Sequence, residues 1–495
     1  MSFPNASGDQ GLFGIFSAKA RTAFITDCAA LVKRGFSMNK NGFRLRTDFE
    51  EVIVLSPHFA EVIRSEERLS AGKYTETVRI YQLFLTTCRS LHLSRDRLEL
   101  MGSIPGFEPF AFAGTHRKLM HDVITSRLNR ALPKMSEFVS IEASEVLETS
   151  WTDNEVQDFH KVHLYQTALP LIAQASIRAF LGTELCRNQR WVEINTQYTI
   201  VALGAVNALR RWPRALLPIV HWFHPQVKQT RALLNEARNI LRPTHEKRAR
   251  ELAAGKEAPS DALTWFEELA KGQPYDPTVA QMTFTVASIH ATTDLLCQVL
   301  LDLAKYPDIV EALRAELVDV LGKSGWQQSS FGQLRLMDSV MKESQRLKPI
   351  SQVVSVFNKR VAMDDIKLDE NLQIPKGAYV VVSANNMRDP AVYPDPDTFD
   401  AYRFIKRAEY PEYAKLSSFS NVSVDHTGFG FGKHACPGRI YVTLELKILL
   451  AQIILKYDWK LPDGYEARIF RNGFDSVTDM MAEILVRRRV GEKWC

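Results

Sequence analysis

Eleven residues, Phe429 to Arg439, read FGFGKHACPGR and limit what this chain can be more than any other stretch does. A single cysteine, Cys436, is followed by Pro437, Gly438 and Arg439 and then by a long apolar run in helical register, so it stands at or beside a helix start. Proline suits the first helical turn. A sulfur there faces unpaired backbone N–H groups and the positive end of the helix dipole, and both favour the thiolate that holds a metal. Gly430 and Gly432 permit left-handed or crowded backbone, and Gly438 lets a flat group approach the chain closely. A planar cofactor fits these features together, whereas a lone C-x-G would be explained as well by a plain turn before a buried helix.

The full spacing goes further. Phe429, Gly432, Cys436 and Gly438 spell F-x-x-G-x-x-x-C-x-G, and this resembles the haem-binding loop of the cytochrome P-450 monooxygenases. The resemblance implies haem b as cofactor, with Cys436 as the axial iron ligand whose electron donation favours O–O cleavage. It implies that His434, two residues before the cysteine, meets a haem propionate, in either protonation state. The implied fold is mainly α with a smaller β-rich part, the cytochrome P-450 fold. A zinc site built on Cys436 and His434 is the competing metal reading, and no second ligand pair supports it.

The 495 residues can bury a large core, and nothing in the sequence demands more than one catalytic domain, taken as 41–495 after an N-terminal segment 1–40. Lys plus Arg is 62 against 57 Asp plus Glu, a mild excess without a basic block, so nucleic acid is not an expected partner. The cysteines at 28, 88, 186, 297, 436 and 495 are widely spaced, form no C-x-x-C and follow no secretory signal, which argues against a disulfide framework. GLFGIFSAKARTAFI is too short and too interrupted by Lys19 and Arg21 to span a bilayer. Eukaryotic relatives usually begin with such an anchor, so the resemblance implies an endoplasmic reticulum enzyme on the cytosolic face whose anchor is trimmed or naturally missing.

A second informative element runs from about Pro277 to Lys305, apolar for most of its length but carrying Ser288, His290, Thr292 and Thr293 in the middle. Buried Ser and Thr can bond back to the preceding turn, and a lone histidine is more often a satisfied core residue than a ligand. The resembled family places A/G-G-x-D/E-T-T on a long helix crossing the oxygen side of the haem, and Ala287-Ser288-Ile289-His290-Ala291-Thr292 is similar to it. On that basis His290, Ala291 and Thr292 are the candidate catalytic residues. The departures are His290 in place of the acid and Ala291 in place of the threonine whose hydroxyl ordinarily relays protons.

Glu343 and Arg346 sit three apart on one helix face. Such a pair is usually a surface ion pair of little worth, but in the family it is buried and joined by an arginine from a downstream segment, here Arg403 in FDAYRF. The triad is expected to support the cysteine loop and to do no chemistry.

Elsewhere, FRLRTD and EEVIVLS read as a short strand pair, Pro57 opens a helix through Ile63, a helix runs from about His116 to Leu132, and Asn154 to Asn188 reads as helical. The strand signals in VVSVFNKRVAMDD and IPKGAYVVVSA flank a turn at Pro375–Gly377. The resemblance assigns a propionate contact to the helix after residue 114, for which Arg117 is the candidate, with a solvated helix face the equal alternative. It also assigns substrate-pocket positions to Phe112, Ser288, Val353, Val354, Phe474 and Val477. RRWPRALLPIVHWFHP, from Arg210 to Pro225, mixes Trp, Arg and apolar residues and suits either a membrane surface or the cap of a substrate pocket.

The expected activity is monooxygenation: hydroxylation of an apolar fungal secondary metabolite such as a terpenoid or alkaloid, with NADPH electrons delivered by a flavoprotein reductase. Lys433, Arg439, Lys406 and Arg407 could face that acidic partner. Two alternatives stay open. One is a haem-thiolate enzyme that desaturates, couples, rearranges or dehydrates without inserting oxygen, favoured by Ala291; the other is a haem-binding sensor or carrier.

Overall fold

The computed structural model describes residues 3–7, 15–47, 51–70, 104–110, 114–151, 158–209, 212, 216–257, 259–350, 359–370 and 372–489. Its principal helices are α1 (Ile15–Met38), α2 (Ala60–Ile63), α3 (Gly114–Asp122), α4 (Asn129–Ser150), α5 (Leu164–Leu181), α6 (Gln189–Leu209) and α7 (Leu217–Phe223). They continue with α8 (Pro225–Ala253), α9 (Ala262–Ala270), α10 (Pro277–Leu303), α11 (Pro307–Ser324), α12 (Arg335–Leu347), α13 (Arg403–Ala408) and α14 (Arg439–Lys456). The strands are β1 (Gly42–Arg46), β2 (Glu51–Leu55), β3 (Leu69–Ser70), β4 (His160–His163), β5 (Arg360–Ala362), β6 (Ile366–Lys367), β7 (Gln373–Ile374), β8 (Tyr379–Val382), β9 (Tyr457–Lys460), β10 (Ile469–Asn472), β11 (Asp475–Thr478) and β12 (Glu483–Arg488).

Helix α10 is the axis of the molecule. Asp276 caps it by accepting from the Thr278 and Val279 amides at 2.9 and 3.1 Å, and Pro277 occupies its first turn. It packs against α5, α6, α8, α12 and α14, and Leu295, Leu296, Val299, Leu300 and Leu303 are all buried along its second half. Among the described residues it is the one helix long and apolar enough to cross a membrane, yet 72% of that apolar window is buried against the rest of the protein. Its hydrophobicity is therefore consumed by the core.

The strand pair expected from FRLRTD and EEVIVLS is present as antiparallel β1–β2, in register from Gly42↔Leu55 to Arg46↔Glu51. It belongs to a five-stranded sheet ordered β1-β2-β8-β5-β3, closed on one face by Phe24, Cys28 and Val32 of α1. Pro375–Gly377 does turn the chain, with Gly377 at φ +83°.

Two expectations change. The helix at His116 does not stop at Leu132: through a π-turn at Val123–Leu128 it runs into α4, which carries Pro133 inside and ends at Ser150. The ladder just before Pro133 is already rearranged there, which eases the loss of its N–H. The region 154–188 is not wholly helical, because His160–His163 forms β4 and pairs with β12 in the order β4-β12-β9. A partner at the other end of the chain overrides local preference.

Candidate active site

The cysteine loop is a chain of turns, each closed by its own backbone. Gly430 N–H donates to Thr427 O at 2.8 Å, Ala435 to Gly432 O at 3.0 Å, and Cys436 to Phe429 O at 2.8 Å. Gly430 and Gly432 both lie in the left-handed region, φ +79° and +69°. At Gly432 a Cβ would stand 2.6 Å from Arg64 Cβ and 2.8 Å from Arg64 O of the chain just after α2, so the glycine is required by a close approach as well as by φ. Phe429 is buried, edge-on to Phe419 at 5.0 Å. Phe431 anchors the loop on the sheet side beside Phe59 and Ile63.

Helix α14 starts at Arg439 with Gly438 as its N-cap, so Pro437 stands just before the helix and not in its first turn. Cys436 is half-buried. Burial pushes its thiol up, while the Gly438 amide, the Arg439 charge and the Arg439 amide act in the opposite direction, favouring the thiolate. Arg439 is not free, since its guanidinium donates to Cys436 O at 2.9 Å.

Whether a flat group fits here depends on the space left at the loop and along α10. Gly438 has φ −84° and ψ 0°, which any residue adopts, yet a Cβ built on it meets, among the described residues, nothing within 4 Å beyond its own chain neighbours and helix backbone. On α10, where nearly every side chain is buried, Ala287 and Ala291 are exposed one turn apart. A core helix does not waste two adjacent turns of one face unless something else covers them. The small-residue stripe, the open space at Gly438 and the half-buried thiol fit a planar prosthetic group.

His290 and Ser288 flank the stripe, both half-buried. Ser288 hydroxyl bonds back to Phe284 O at 2.8 Å. His290 Nδ1 lies 3.2 Å from the Tyr165 hydroxyl of α5, and its Nε2 is buried without a hydrogen-bond partner among the described residues. Burial lowers its pKa to about 4, with the Thr196 backbone of α6 partly opposing. The ring is thus neutral and held toward Tyr165 of α5. Thr292, 2% exposed, lies off the open stripe, so the exposed position at Ala291 offers a methyl group and no hydroxyl.

Below the loop, Glu343 and Arg346 form a two-point ion pair, both bonds 2.8 Å and both side chains fully buried. Arg403 Nε reaches Glu343 Oε1 at 2.9 Å. The two guanidiniums also collect the carbonyls of Met387, Pro394, Pro396 and Thr398, which pins the meander ahead of the cysteine loop.

Some expected positions cannot be placed. Phe112, Val353 and Val354 lie outside the described residues, as do the side chains of Arg117 and His434. Phe474 sits at the tip of the β10–β11 hairpin, packed edge-on against Phe24 of α1 at 4.9 Å in the sheet core. Val477 pairs across that hairpin with Phe470, and both are exposed.

A family model described as cytochrome P-450 matches residues 111–479. The chain belongs to the cytochrome P-450 family.

The family's cofactor is haem iron, fed by NADPH electrons through a redox partner reductase, and the chain is a cytochrome P-450 monooxygenase. It is 51% identical to the dideacetyl fusicoccin A C-19 hydroxylase of Phomopsis amygdali, over 99% of this chain and 88% of that protein. The fusicocca-1,10(14)-diene-8beta,16-diol C-9 hydroxylase of the same organism is 49% identical, with 97% and 90% covered. Among solved structures, the haem domain of a cytochrome P450DA mutant superposes with TM-score 0.69 at 16% identity, covering 99% and 98% of the two chains, which shows the shared fold.

Two residues around this P-450 site gave no signal in the sequence. Lys342, beside the ion triad, is buried and donates to the carbonyls of Leu416, Ser418 and Asn421 at 2.6 to 2.9 Å, tying down the segment that leads into the loop. Burial lowers its pKa to about 7. Tyr165 is the other, identifiable only once α5 is seen beside His290.

Proposed function

We propose that the Cys436 thiolate would hold the haem iron and that the chain hydroxylates an apolar terpenoid related to the fusicoccin-type compounds named for its relatives. The observation that carries this reading is the open small-residue face of the otherwise buried helix α10, Ala287 and Ala291, together with a half-buried thiol whose loop leaves space at Gly438. Haem held there supplies oxygen activation and one-electron storage. The chain's own residues do the rest. The Gly438 and Arg439 amides and the Arg439 charge favour the charged sulfur. Glu343, Arg346 and Arg403 hold the meander that positions the loop, and Phe429 with Phe419 keeps water from its inner side. His434 and Arg117 are proposed for the propionates; Phe112, Ser288, Val353, Val354, Phe474 and Val477 for the pocket.

With its low pKa, His290 does not supply protons as an acid near neutral pH; its Nδ1 is engaged by the Tyr165 hydroxyl of α5. Ala291 leaves proton delivery to bound water. Residues 41–495 are read as one catalytic unit.

Features of the surface support the finer partners of this reading. Ile219, Trp222 and Phe223 are 60%, 49% and 68% exposed around α7. Arg231 lies over the Trp222 ring at 4.5 Å and Lys228 near Phe223 at 5.9 Å, an apolar patch with a cationic rim suited to the cytosolic surface of the endoplasmic reticulum membrane. Of the four cations considered for the reductase face, Arg407 is engaged with Asp425 and Val392 O, Arg439 with Cys436 O and Lys406 with Asp400 at 2.9 Å, so exposed Lys433 is the one proposed to meet the reductase.

The test is turnover of fusicoccane-type terpenoids by the membrane-reconstituted protein with NADPH, reductase and isotopically labelled oxygen. Label in a new hydroxyl group supports the proposal. Product without label would assign desaturation or rearrangement instead.

A further inference from the structure

One buried polar cluster on the cysteine-bearing helix serves none of these purposes. Tyr441 stands in the first turn of α14, five residues after Cys436, and is buried. Its hydroxyl donates to Glu445 Oε1 at 2.8 Å, and Ser176 of α5 donates to the same oxygen at 2.6 Å. Among the described residues, Glu445 Oε2 is buried with no hydrogen-bond partner and no cation pairs with this carboxyl. Burial raises the Glu445 pKa to about 7, with Ser176 and Tyr441 opposing. Burial likewise holds the Tyr441 phenol well above its ordinary value, so the tyrosinate is not accessible.

The surroundings are aromatic. Tyr441 contacts Phe180 at 5.2 Å between centroids, Phe180 stacks on Phe284 of α10 at 4.8 Å, and Phe284 meets Phe266 of α9 at 5.4 Å. A carboxyl kept only as a clamp between α14 and α5 would be costly to bury without a cation, and an amide would do that work more cheaply. What a carboxylate adds is basicity. An oxidised phenol must lose its proton, and here its hydrogen bond already ends on a base.

We propose that Tyr441 is a redox-active tyrosine that donates an electron to the oxidised haem when no substrate is consumed, with Glu445 as the acceptor of its proton. The inference rests on the haem reading above. In the step the Tyr441 O–H bond breaks, the proton crosses to Glu445 Oε1, and the electron reduces the haem by one equivalent. A neutral tyrosyl radical and a protonated Glu445 remain. One electron from the reductase and return of the proton restore both. The oxidising equivalents come from oxygen and NADPH in turnover, or from an added organic peracid.

The experiment is freeze-quench electron paramagnetic resonance of the substrate-free holoenzyme mixed with an organic peracid. The expected result is an organic radical whose hyperfine structure narrows in protein grown on ring-deuterated tyrosine, is lost in Tyr441→Phe, and is lost or strongly diminished in Glu445→Gln. The glutamine keeps the acceptor oxygen and removes the base, and the deuterium arm needs no variant. A tyrosyl signal that survives Tyr441→Phe, one undiminished in Glu445→Gln, or no tyrosyl signal from wild type with a thiolate-type carbon monoxide band overturns the proposal. Loss of that band in wild type would instead sink the haem reading and this inference with it.

Discussion

Gly432→Ala and Gly438→Ala are the same chemical change six residues apart, and the structure assigns them opposite costs. At Gly432 the backbone sits at φ +69°, where an L-residue costs about 1–2 kcal/mol. The new methyl would also stand 2.6 Å from Arg64 Cβ and 2.8 Å from its carbonyl oxygen, so backbone must move, adding about 1–3 kcal/mol. The sum is about 2–5 kcal/mol lost from the fold itself. At Gly438 the dihedrals suit alanine and, among the described residues, its methyl meets nothing within 4 Å beyond its own chain neighbours and helix backbone, so stability should stay within about 1 kcal/mol of wild type. Gly438→Phe, in contrast, fills the space proposed for the cofactor: the polypeptide folds but carries little haem. Denaturant midpoints from circular dichroism, with haem content per folded protein, separate the effects. A wild-type midpoint for Gly432→Ala, or full haem content in Gly438→Phe, would refute the reasoning.

Arg403→Ala removes the 2.9 Å bond to Glu343 and strands the Pro394 and Thr398 carbonyls, for an expected loss of about 3–5 kcal/mol in unfolding free energy; a loss below about 1 kcal/mol would contradict a tightly coupled triad. For Glu445 the folded protein favours the protonated form, with the pKa raised from 4.5 to about 7. Its stabilisation is therefore present at acid pH and lost as pH rises through about 7. Glu445→Gln keeps it, and should gain up to about 3 kcal/mol over wild type between about pH 4 and pH 8; an unfolding difference that does not vary with pH would be inconsistent with this. Ala291→Thr places a hydroxyl on the open face of α10 and should raise product formed per NADPH consumed. An unchanged ratio with intact haem would show that proton delivery is not limiting.

The parts of the site written in local spacing were legible in the sequence. The order of glycines around Cys436 specified the loop, and Glu343 with Arg346, one turn apart, specified a shared helix face that the structure buries together with Arg403. Strand alternation found β1 and β2 because their partners are neighbours in the chain. What depends on distant partners was not legible. His160–His163 becomes a strand only because β12 lies alongside. Lys342 looks like any charged residue of α12 until three carbonyls from 416–421 close on it. The same holds for His290, whose nearest hydroxyl is on α5, and for Glu445, whose sequence position two turns into an apolar helix gives no hint of Ser176. Polar residues on buried helices acquire their roles from tertiary packing, which no period along one helix encodes. Pro437 failed for a smaller reason: α14 starts two residues later than proline preference suggests.

Everything about the site depends on sulfur from Cys436 meeting iron. The carbon monoxide difference spectrum of the dithionite-reduced holoenzyme, recorded beside Cys436→Ala, tests that contact most directly. The account predicts a strongly red-shifted, thiolate-type band in wild type that disappears in the variant. Haem bound to well-folded wild-type protein without that band, or a band that survives in Cys436→Ala, would contradict it.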